Sequence, residues 1–582
     1  MKNNNIITML KTFLQENQFI MPSYQHYGGF TGYQDYGILG FQLKNKLLNL
    51  WRNTMLDTNI HEVEIPTIMP HAVLKASGHV DRFTDYIVYD TNGLCHRADH
   101  LAKKWFKDND MDELANYVDS WDQNTLEQQI NKYAMIDSET KVQVLKKNLM
   151  IEVPSNTLSL DADADFLRPE LAQGIFVNFK IYQSYFQHED VGFKPFGIAQ
   201  IGKSYRKEIS PQPFVRMREF TQAEIEYFFD PEDKTHNNYH LYDNLTVPFL
   251  TDEMQENGID IAICTTIGNA IDKNMINHKL MAYFLAKIYS FAIKLGLKDN
   301  KIRFRQHQKN EMSHYANQCW DLECFVNNSW LECVGCADRG CYDLTAHSKI
   351  NPKQLMTVKR KLPEAKISTN IIIKPNISKM VKLYEKLLNQ IKTHFVELDQ
   401  TVTREIARYI NNGQNFTLTI DDQECLFESS MFTIQEQKIT TTHETFAPHV
   451  IEPSFGVDRL MYALLEQNIW QREINERRLV LSLPNSLALF DIAVFPLHKK
   501  EEMCKMADDI RIKLINAGFK CYYDESNTAI GKKYVRCDEI SVKNVVTVDP
   551  GSLKTGLVTI RDRDTMEQIT VHKDDLLLSI KN

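Results

Sequence analysis

The segment RKEISPQPFVRMREFTQAEIEYFF, residues 206–229, constrains what this chain can fold into more than any other. Its Ile-Ser-Pro-Gln-Pro run places Pro211 and Pro213 close together, which removes two backbone donors and fixes φ at both, so neither a helix nor an interior strand runs through them. FGIAQIG before the run and EIEYFF after it read as strands. The expectation is two strands joined by a proline loop, with Arg206 near the end of the first and Arg216 or Arg218 near the start of the second. An arginine fork can hold a phosphate bidentately, and Phe220 could offer a ring face to a base. The plainer alternative is a hairpin whose Arg and Glu side chains pair across a solvated face, and the segment alone leaves both open.

At 582 residues the chain exceeds what one hydrophobic core usually serves, so two or three domains are expected. A net charge of −9 argues against wholesale coating of nucleic acid, and an RNA partner must be met locally. The amino terminus, MKNNNIITMLKTFLQENQF, has neither a signal-peptide core nor a transit pattern, and no later segment is apolar for about 18 residues. A cytoplasmic protein without a membrane span is expected. The 11 cysteines, an odd number, favour reduced thiols over a disulfide framework, and five of them cluster between Cys319 and Cys341.

Residues 36–56 place Ile38, Phe41, Leu48, Trp51 and Met55 at helical spacing, and HEVEIPTIMP after them reads as a strand ended by proline. Residues 95–150 are charged and helix-prone and look like an insertion, whereas 166–229 read as part of a sheet. Residues 230–318 and 350–442 read mostly as helices and loops, the latter with the alternating NFTLTID. From about 485 the rhythm changes to strands separated by helices: LALFDIAVFPL, a helix to Ala517, GFKCYYDES, a helix near KKYVRCDEI, VVTVD and LVTIRDRD. That alternation predicts a compact α/β domain. It carries 15 Lys and Arg against 15 Asp and Glu, so the net negative charge belongs to the rest of the chain and a polyanion would dock here more readily.

The hairpin has company. FLRPELAQGIF lies upstream, and WLECVGCADRGCYDLTAH and IEPSFGVDRLMYALLE lie downstream, in the order and style of the three signature motifs of class II aminoacyl-tRNA synthetases. The chain resembles glycyl-tRNA synthetase of the eukaryotic and archaeal type, in pieces spread over nearly its whole length: GFTGYQDYGILGFQLKNKL, SGHVDRFTD, LRPELAQGIFVNF, IGKSYRKEISP, VRMREFTQAEIEYF, ECVGCADRGCYDLTAH, IEPSFGVDR and AIGKKYVRCDEI. The resemblance implies an α+β fold: an antiparallel sheet flanked by helices over residues 1–484, with helical insertions at about 95–150, 230–318 and 350–442, and an α/β anticodon-binding domain at 485–582. It also implies a homodimer with residues 36–70 at the interface.

Forming an aminoacyl adenylate needs positive charge on the α-phosphate, groups that hold the departing pyrophosphate, and rigid positioning of two small reactants. By resemblance, Arg206 and Arg459 are the catalytic arginines. ATP would be bound by Arg206, Lys207, Glu208, Arg216, Met217, Phe220, Glu332, Cys333 and Arg459, with Mg2+ held through Glu332. Glycine would be bound by Glu170, Glu224, Glu452, Pro453 and Ser454, and tRNA(Gly) would be the second substrate. Carboxylates converging on a small cavity are costly unless a cation enters, which suits a substrate whose main handle is its ammonium. Exclusion of larger amino acids by size implies no editing domain. Capping of a following helix is the plain alternative for Glu170 and Glu452.

Cys333-x-x-Cys336, with Cys341, Cys319 and Cys324 nearby, has the form of a zinc knuckle, but the remaining spacing is irregular and Cys333 matches an ATP-site position, so no metal is assigned to the cysteines. Adenylate formation calls for no histidine base, which leaves His26, His79, His96 and His100 as structural or orienting residues. The sequence departs from the family at Lys207, where Asn is usual, at Leu171 for Thr and Asp458 for Gly, and in a proline loop one residue shorter. That loop leaves Arg216 and Arg218 competing for one role. A noncatalytic synthetase-like subunit that binds nucleic acid is the alternative, and such a protein is expected to lose the motif arginines and pocket acids that this chain keeps. Lys532, Lys533 and Arg536 are candidate phosphate contacts in the last domain, against a solvated helix face.

Overall fold

The computed structural model describes residues 2–137, 141–154, 164–186, 192–309, 311–312, 316–421, 423–472 and 478–581. The chain divides into two units, one made of Met1–Phe186, Lys194–Met356 and Ala447–Asn582, the other of Gln187–Phe193 and Thr357–Phe446.

In the first unit the elements that build the site are, in chain order, α1 (Ile38–Met55), β1 (Ile60–Val63), α2 (Ala172–Val177), β2 (Phe196–Tyr205), β3 (Glu219–Phe229), β4 (Thr246–Leu250), β5 (Ile263–Thr266), α3 (Lys279–Leu295), β6 (Ile302–Gln306), β7 (Gln318–Val326), β8 (Ser329–Gly340), α4 (Tyr342–Ile350), β9 (His449–Gly456) and α5 (Val457–Asn468). The nine strands form one sheet in the order β5-β4-β6-β7-β8-β9-β3-β2-β1. All neighbours are antiparallel except β4 with β6 and β2 with β1. The expected hairpin is β2 and β3, paired from Phe196 with Phe228 to Tyr205 with Glu219.

Helices α1, α3 and α5 cover one face of this sheet. The α3 sequence KLMAYFLAKIYSFAIKL is apolar nearly all round, and 13 of its residues are buried, as expected of a helix enclosed by the core. On α1 the buried stripe is Leu39, Leu43, Leu47, Trp51 and Met55, while Ile38 and Phe41 face outward.

Residues 230–318, read from sequence as an insertion, instead supply β4, β5 and β6 of the main sheet together with α3. Those strands are four or five residues long and separated by helix, so none shows a long alternating pattern. The module around 95–150 starts earlier, at Thr84. It is not purely helical: Thr84–Tyr89 pairs with Cys95–Arg97 and with Leu145–Asn148, and helices pack on these strands around Phe106, Leu126 and Ile130.

Residues 485–582 carry a five-stranded sheet. Ile492–Pro496 lies parallel to Cys521–Tyr523 on one side and to the central strand Asn544–Val548 on the other, and Leu557–Asp562 and Gln568–His572 complete the sheet antiparallel. Asp538, fully buried, receives hydrogen bonds from Arg472 at 3.0 Å, Arg478 at 2.7 Å and Arg561 at 2.9 Å, which ties the ends of the hairpin Ile469–Gln471 with Leu479–Leu481 to this sheet. Lys533 is buried and donates to the Asp524 carbonyl at 2.7 Å, and Arg536 bonds Asn17, so of the three cations considered for phosphate only Lys532 stands exposed.

The second unit contains a long ribbon, Val358–Pro375 paired with Phe432–Phe446, that the sequence reading as helices and loops missed. Three helices and the hairpin Phe416–Ile420 with Gln423–Phe427 pack at one end of it around Met380, Ile391, Phe395, Phe427 and Phe432. Among the described residues no helix is long and apolar enough to cross a membrane.

Candidate active site

Strand alternation arranges the site as successive rungs on one face of the central strands. Going along β3, Gly202, Gln222 and Gly456 share a rung, then Gln200, Glu224, Ser454 and Gly335, then Ile198 with Glu226 and, across β9 and β8, Glu452 with Ala337. The first rungs open into a cavity of about 190 Å³, and the later ones are closed over.

Arg206, Glu208, Arg216, Met217, Phe220, Glu332, Cys333, Ser454 and Arg459 all line that cavity. The Arg206 guanidinium sits 5.4 Å from the Phe220 ring centroid and 5.3 Å from that of Phe83, while its Nε donates to the Pro169 carbonyl at 3.3 Å. Opposite, Arg459 donates from Nε to the Val215 carbonyl and from Nη1 to the Glu332 carbonyl, each at 2.8 Å. Two guanidinium groups are thus fixed by backbone acceptors on either side of the opening.

The shortened proline loop is held by a reciprocal pair of backbone bonds between Gln212 and Arg216, each 2.9 Å. Its tip residue Phe214 has φ of 68°, a left-handed conformation that costs an aromatic residue about 1 to 2 kcal/mol. Burial of its ring against Tyr462 of α5, 5.0 Å between centroids and nearly parallel, offsets that cost. The loop separates the two competing arginines. Arg216 lines the cavity and has a buried Nη1 without a hydrogen-bond partner, whereas Arg218 turns away and donates from Nε to the Glu208 carbonyl at 3.2 Å. Arg216 thus keeps a buried donor facing the cavity that a ligand anion can engage. Lys207 is exposed and outside the lining; its backbone N–H bonds the Leu149 carbonyl at 2.6 Å.

A β-bulge shapes the far wall. Leu322 pairs with Val334 and Glu323 with Glu332, which leaves Cys333 unpaired, and Glu332, Cys333 and Gly335 all line the cavity. Cys336 lies instead in the core, with its Sγ 3.6 Å from Met281 Sδ. His307, Cys319 and Asp321 also gather potential ligand atoms, but His307 Nε2 already lies 2.7 Å from Asp321 Oδ2 and the Arg305 guanidinium stands 3.5 Å from that oxygen.

The buried rungs hold the acids. Glu224 Oε1 accepts from Ser454 Oγ and from Gln222 Nε2, each at 2.7 Å, and its Oε2 accepts from the Leu171 backbone N–H at 2.9 Å. Leu171 therefore serves through its backbone. Glu452 is paired with Arg339 Nη1 at 2.9 Å, and the same guanidinium grips Asp343 of α4. Glu170 lies 3.4 Å from His79 Nε2 and accepts from Gln173 at 3.0 Å. Pro453, between Glu452 and Ser454, falls on the opposite face of β9 with Ile451 and Phe455.

Burial together with Glu452 and Glu170 pushes the Glu224 carboxyl up to about 8. Burial likewise raises Glu452 despite Arg339, whereas Glu170 is held well below the usual carboxylate range because His79, Arg339 and Gln173 outweigh its burial. Glu224 and Glu452 are thus biased toward their protonated forms, while Glu170 beside them stays ionised.

Arg339, Asp343, Gln173 and Glu226 were not named as site residues from the sequence. The only signal for Glu226 was the Glu-x-Glu spacing on a strand, and for Arg339 its place inside the CADRGCYD motif. Asp458, a departure from the family, is also buried: it accepts from Tyr36 Oη at 2.5 Å and the Thr221 backbone N–H at 2.7 Å, and lies 3.3 Å from Lys44 Nζ. It pins α1 and α5 to the cavity end of β3.

The antiparallel sheet with flanking helices, joined to an α/β carboxy-terminal domain, is the fold of class II aminoacyl-tRNA synthetases. Prolyl-tRNA synthetase from Cryptosporidium parvum, solved with halofuginone and AMPPNP, shares it at a TM-score of 0.52 and 11% identity, over 98% of this chain and 74% of that one. Residues 491–582 match the anticodon binding domain family. Glycine–tRNA ligase of Methanocaldococcus jannaschii is 38% identical over 97% of this chain and 96% of its own length, and glycine–tRNA ligase 2 of Saccharomyces cerevisiae is 35% identical over 98% and 94%. The chain belongs to the glycine–tRNA ligase family.

Proposed function

We infer that this chain charges tRNA(Gly) in two steps, forming a glycyl adenylate from glycine and ATP and then transferring glycine to the terminal adenosine ribose. One observation carries the residue-level reading: an arginine-lined cavity and a buried cluster of carboxylates occupy successive rungs of one sheet face, joined at Gln222, Glu224 and Ser454. Arg206 and Arg459 are the catalytic arginines of this reading, placed to take the negative charge that builds on the α-phosphate. Arg216 supplies a third cation, Phe220 a ring face, and Glu208, Met217, Glu332 and Cys333 the remaining wall.

Glycine enters with its ammonium among Glu170, Glu224 and Glu452, and Ser454 orients Glu224. The closed rungs behind leave no opening for a larger side chain. Mg2+ accompanies ATP in this reading; Glu332 would hold it, and bound there it would supply positive charge against the departing pyrophosphate. The carboxy-terminal residues 485–582 meet the anticodon. The enzyme works in the cytoplasm and as a homodimer in this reading; the dimer is supported by the outward-facing Tyr27, Phe30, Ile38 and Phe41, apolar surface that a second copy would cover.

Calorimetric titration with a non-hydrolysable glycyl-adenylate analogue tests the assignment. The analogue should bind with glycine and ATP each competing against it. Binding unaffected by glycine would contradict the pocket, and binding unaffected by ATP would contradict the cavity.

A further inference from the structure

One carboxyl beside the pocket has no assigned task. Glu226 follows Glu224 by two residues on β3, shares its face, and is fully buried. The register sets it between the Glu224–Ser454 and Tyr227–Ile451 pairs, hence beside Glu452, with Ile198 on its other flank. Carboxylate oxygens of Glu224, Glu226 and Glu452 lie within 4.8 Å of one another. Neither oxygen of Glu226 has a hydrogen-bond partner.

We propose that Glu226 is a positioning residue for the amino acid substrate: its side chain closes the pocket behind Glu224 and Glu452 and holds those two carboxylates at the spacing an ammonium group needs. A fully buried carboxyl without a partner is not kept as an anion, because desolvation favours the neutral form. Its charged surroundings are Glu224 on its own strand, Glu452 on β9, Arg339 on β8 and Asp343 on α4; burial and the acids raise it well above the usual carboxylate range, against Arg339. A neutral carboxyl adds bulk and one O–H donor without adding a further negative charge. Facing two carboxylates, that donor can turn to either, and the side chain keeps them apart when the ammonium enters. This rests on the assignment of Glu224 and Glu452 to glycine.

Steady-state ATP–pyrophosphate exchange with glycine and ATP varied separately tests the proposal. Glu226→Ala should raise the glycine KM by about tenfold or more, the scale of one lost buried hydrogen-bonding partner, with the ATP KM within about twofold of the parent. Glu226→Gln, neutral and of the same shape, should restore the glycine KM to within about threefold. Should Glu226→Ala fail to fold, Glu226→Met keeps the bulk without the donor and is expected to show the same split. A parental glycine KM in the Ala or Met variant, a parallel rise in the ATP KM, or a Gln variant as impaired as the Ala variant would each overturn the proposal. Glu224→Ala separates the two levels: if it leaves the glycine KM unchanged the pocket assignment itself fails, and if it raises the KM while Glu226→Ala does not, only the role of Glu226 falls.

Discussion

Ser454 Oγ donates to Glu224 Oε1 at 2.7 Å, across the β9–β3 rung where the cavity gives way to the buried acids. The bond fixes one oxygen of a carboxylate whose other oxygen is held by the Leu171 backbone at 2.9 Å. Removing the hydroxyl with Ser454→Ala takes one of the two hydrogen bonds from Oε1 and leaves Gln222 Nε2 to hold that oxygen alone. The glycine KM is expected to rise about tenfold, the scale of one hydrogen bond to a charged group, with the ATP KM unchanged in exchange kinetics.

Arg206→Ala should lower the exchange rate by about 10²- to 10³-fold, the usual cost of removing one preorganised group that meets developing charge. The hydrogen bond that its side chain gives the fold is the long one to the Pro169 carbonyl, 3.3 Å, worth about 1 kcal/mol. Circular dichroism and the thermal midpoint should therefore match the parent.

Without glycine, Glu224 has a folded-state pKa of about 8, above the unfolded value of about 4.3. The folded state then binds the extra proton, so its contribution to stability is complete below about pH 4.3 and is lost as the pH rises towards 8. Glu226 and Glu452 shift the same way, while Glu170 acts oppositely but only below its unfolded pKa. Thermal midpoints measured from pH 5 to 8 should fall in the glycine-free protein, with a shallower slope in Glu224→Gln and with saturating glycine.

Lys44 and Asp458, both buried, stand 3.3 Å apart and share Thr221, whose hydroxyl accepts from Lys44 at 2.5 Å and whose backbone N–H donates to Asp458. Breaking a buried pair from one side strands a charge. Lys44→Met should destabilise the protein by about 3 to 5 kcal/mol in denaturant titration, and adding Asp458→Asn should recover part of that loss.

The hairpin was legible because Pro211 and Pro213 leave a chain few options, and the carboxy-terminal sheet because its strands and helices alternate at regular lengths. The site was legible as motifs and less so as geometry. Motifs name consecutive residues, but a strand shows only every second one to a ligand, which is why Glu452 and Ser454 face the pocket while Pro453 faces the core. Lys207 was grouped with its neighbours in the same way, and the turn after β2 sends it to solvent. Arg339 and Glu226 were missed for the converse reason: each lies in a mostly apolar strand, and only the three-strand register brings them beside Glu452. The strands of 230–318 and the long ribbon of the second unit pair over distances that periodicity along the chain does not encode.

Glycine specificity is most directly tested by ATP–pyrophosphate exchange with each of the twenty amino acids in turn. Exchange supported by glycine and by no other amino acid at equal concentration, alanine included, is the predicted result; exchange supported by another amino acid and not by glycine would contradict the account.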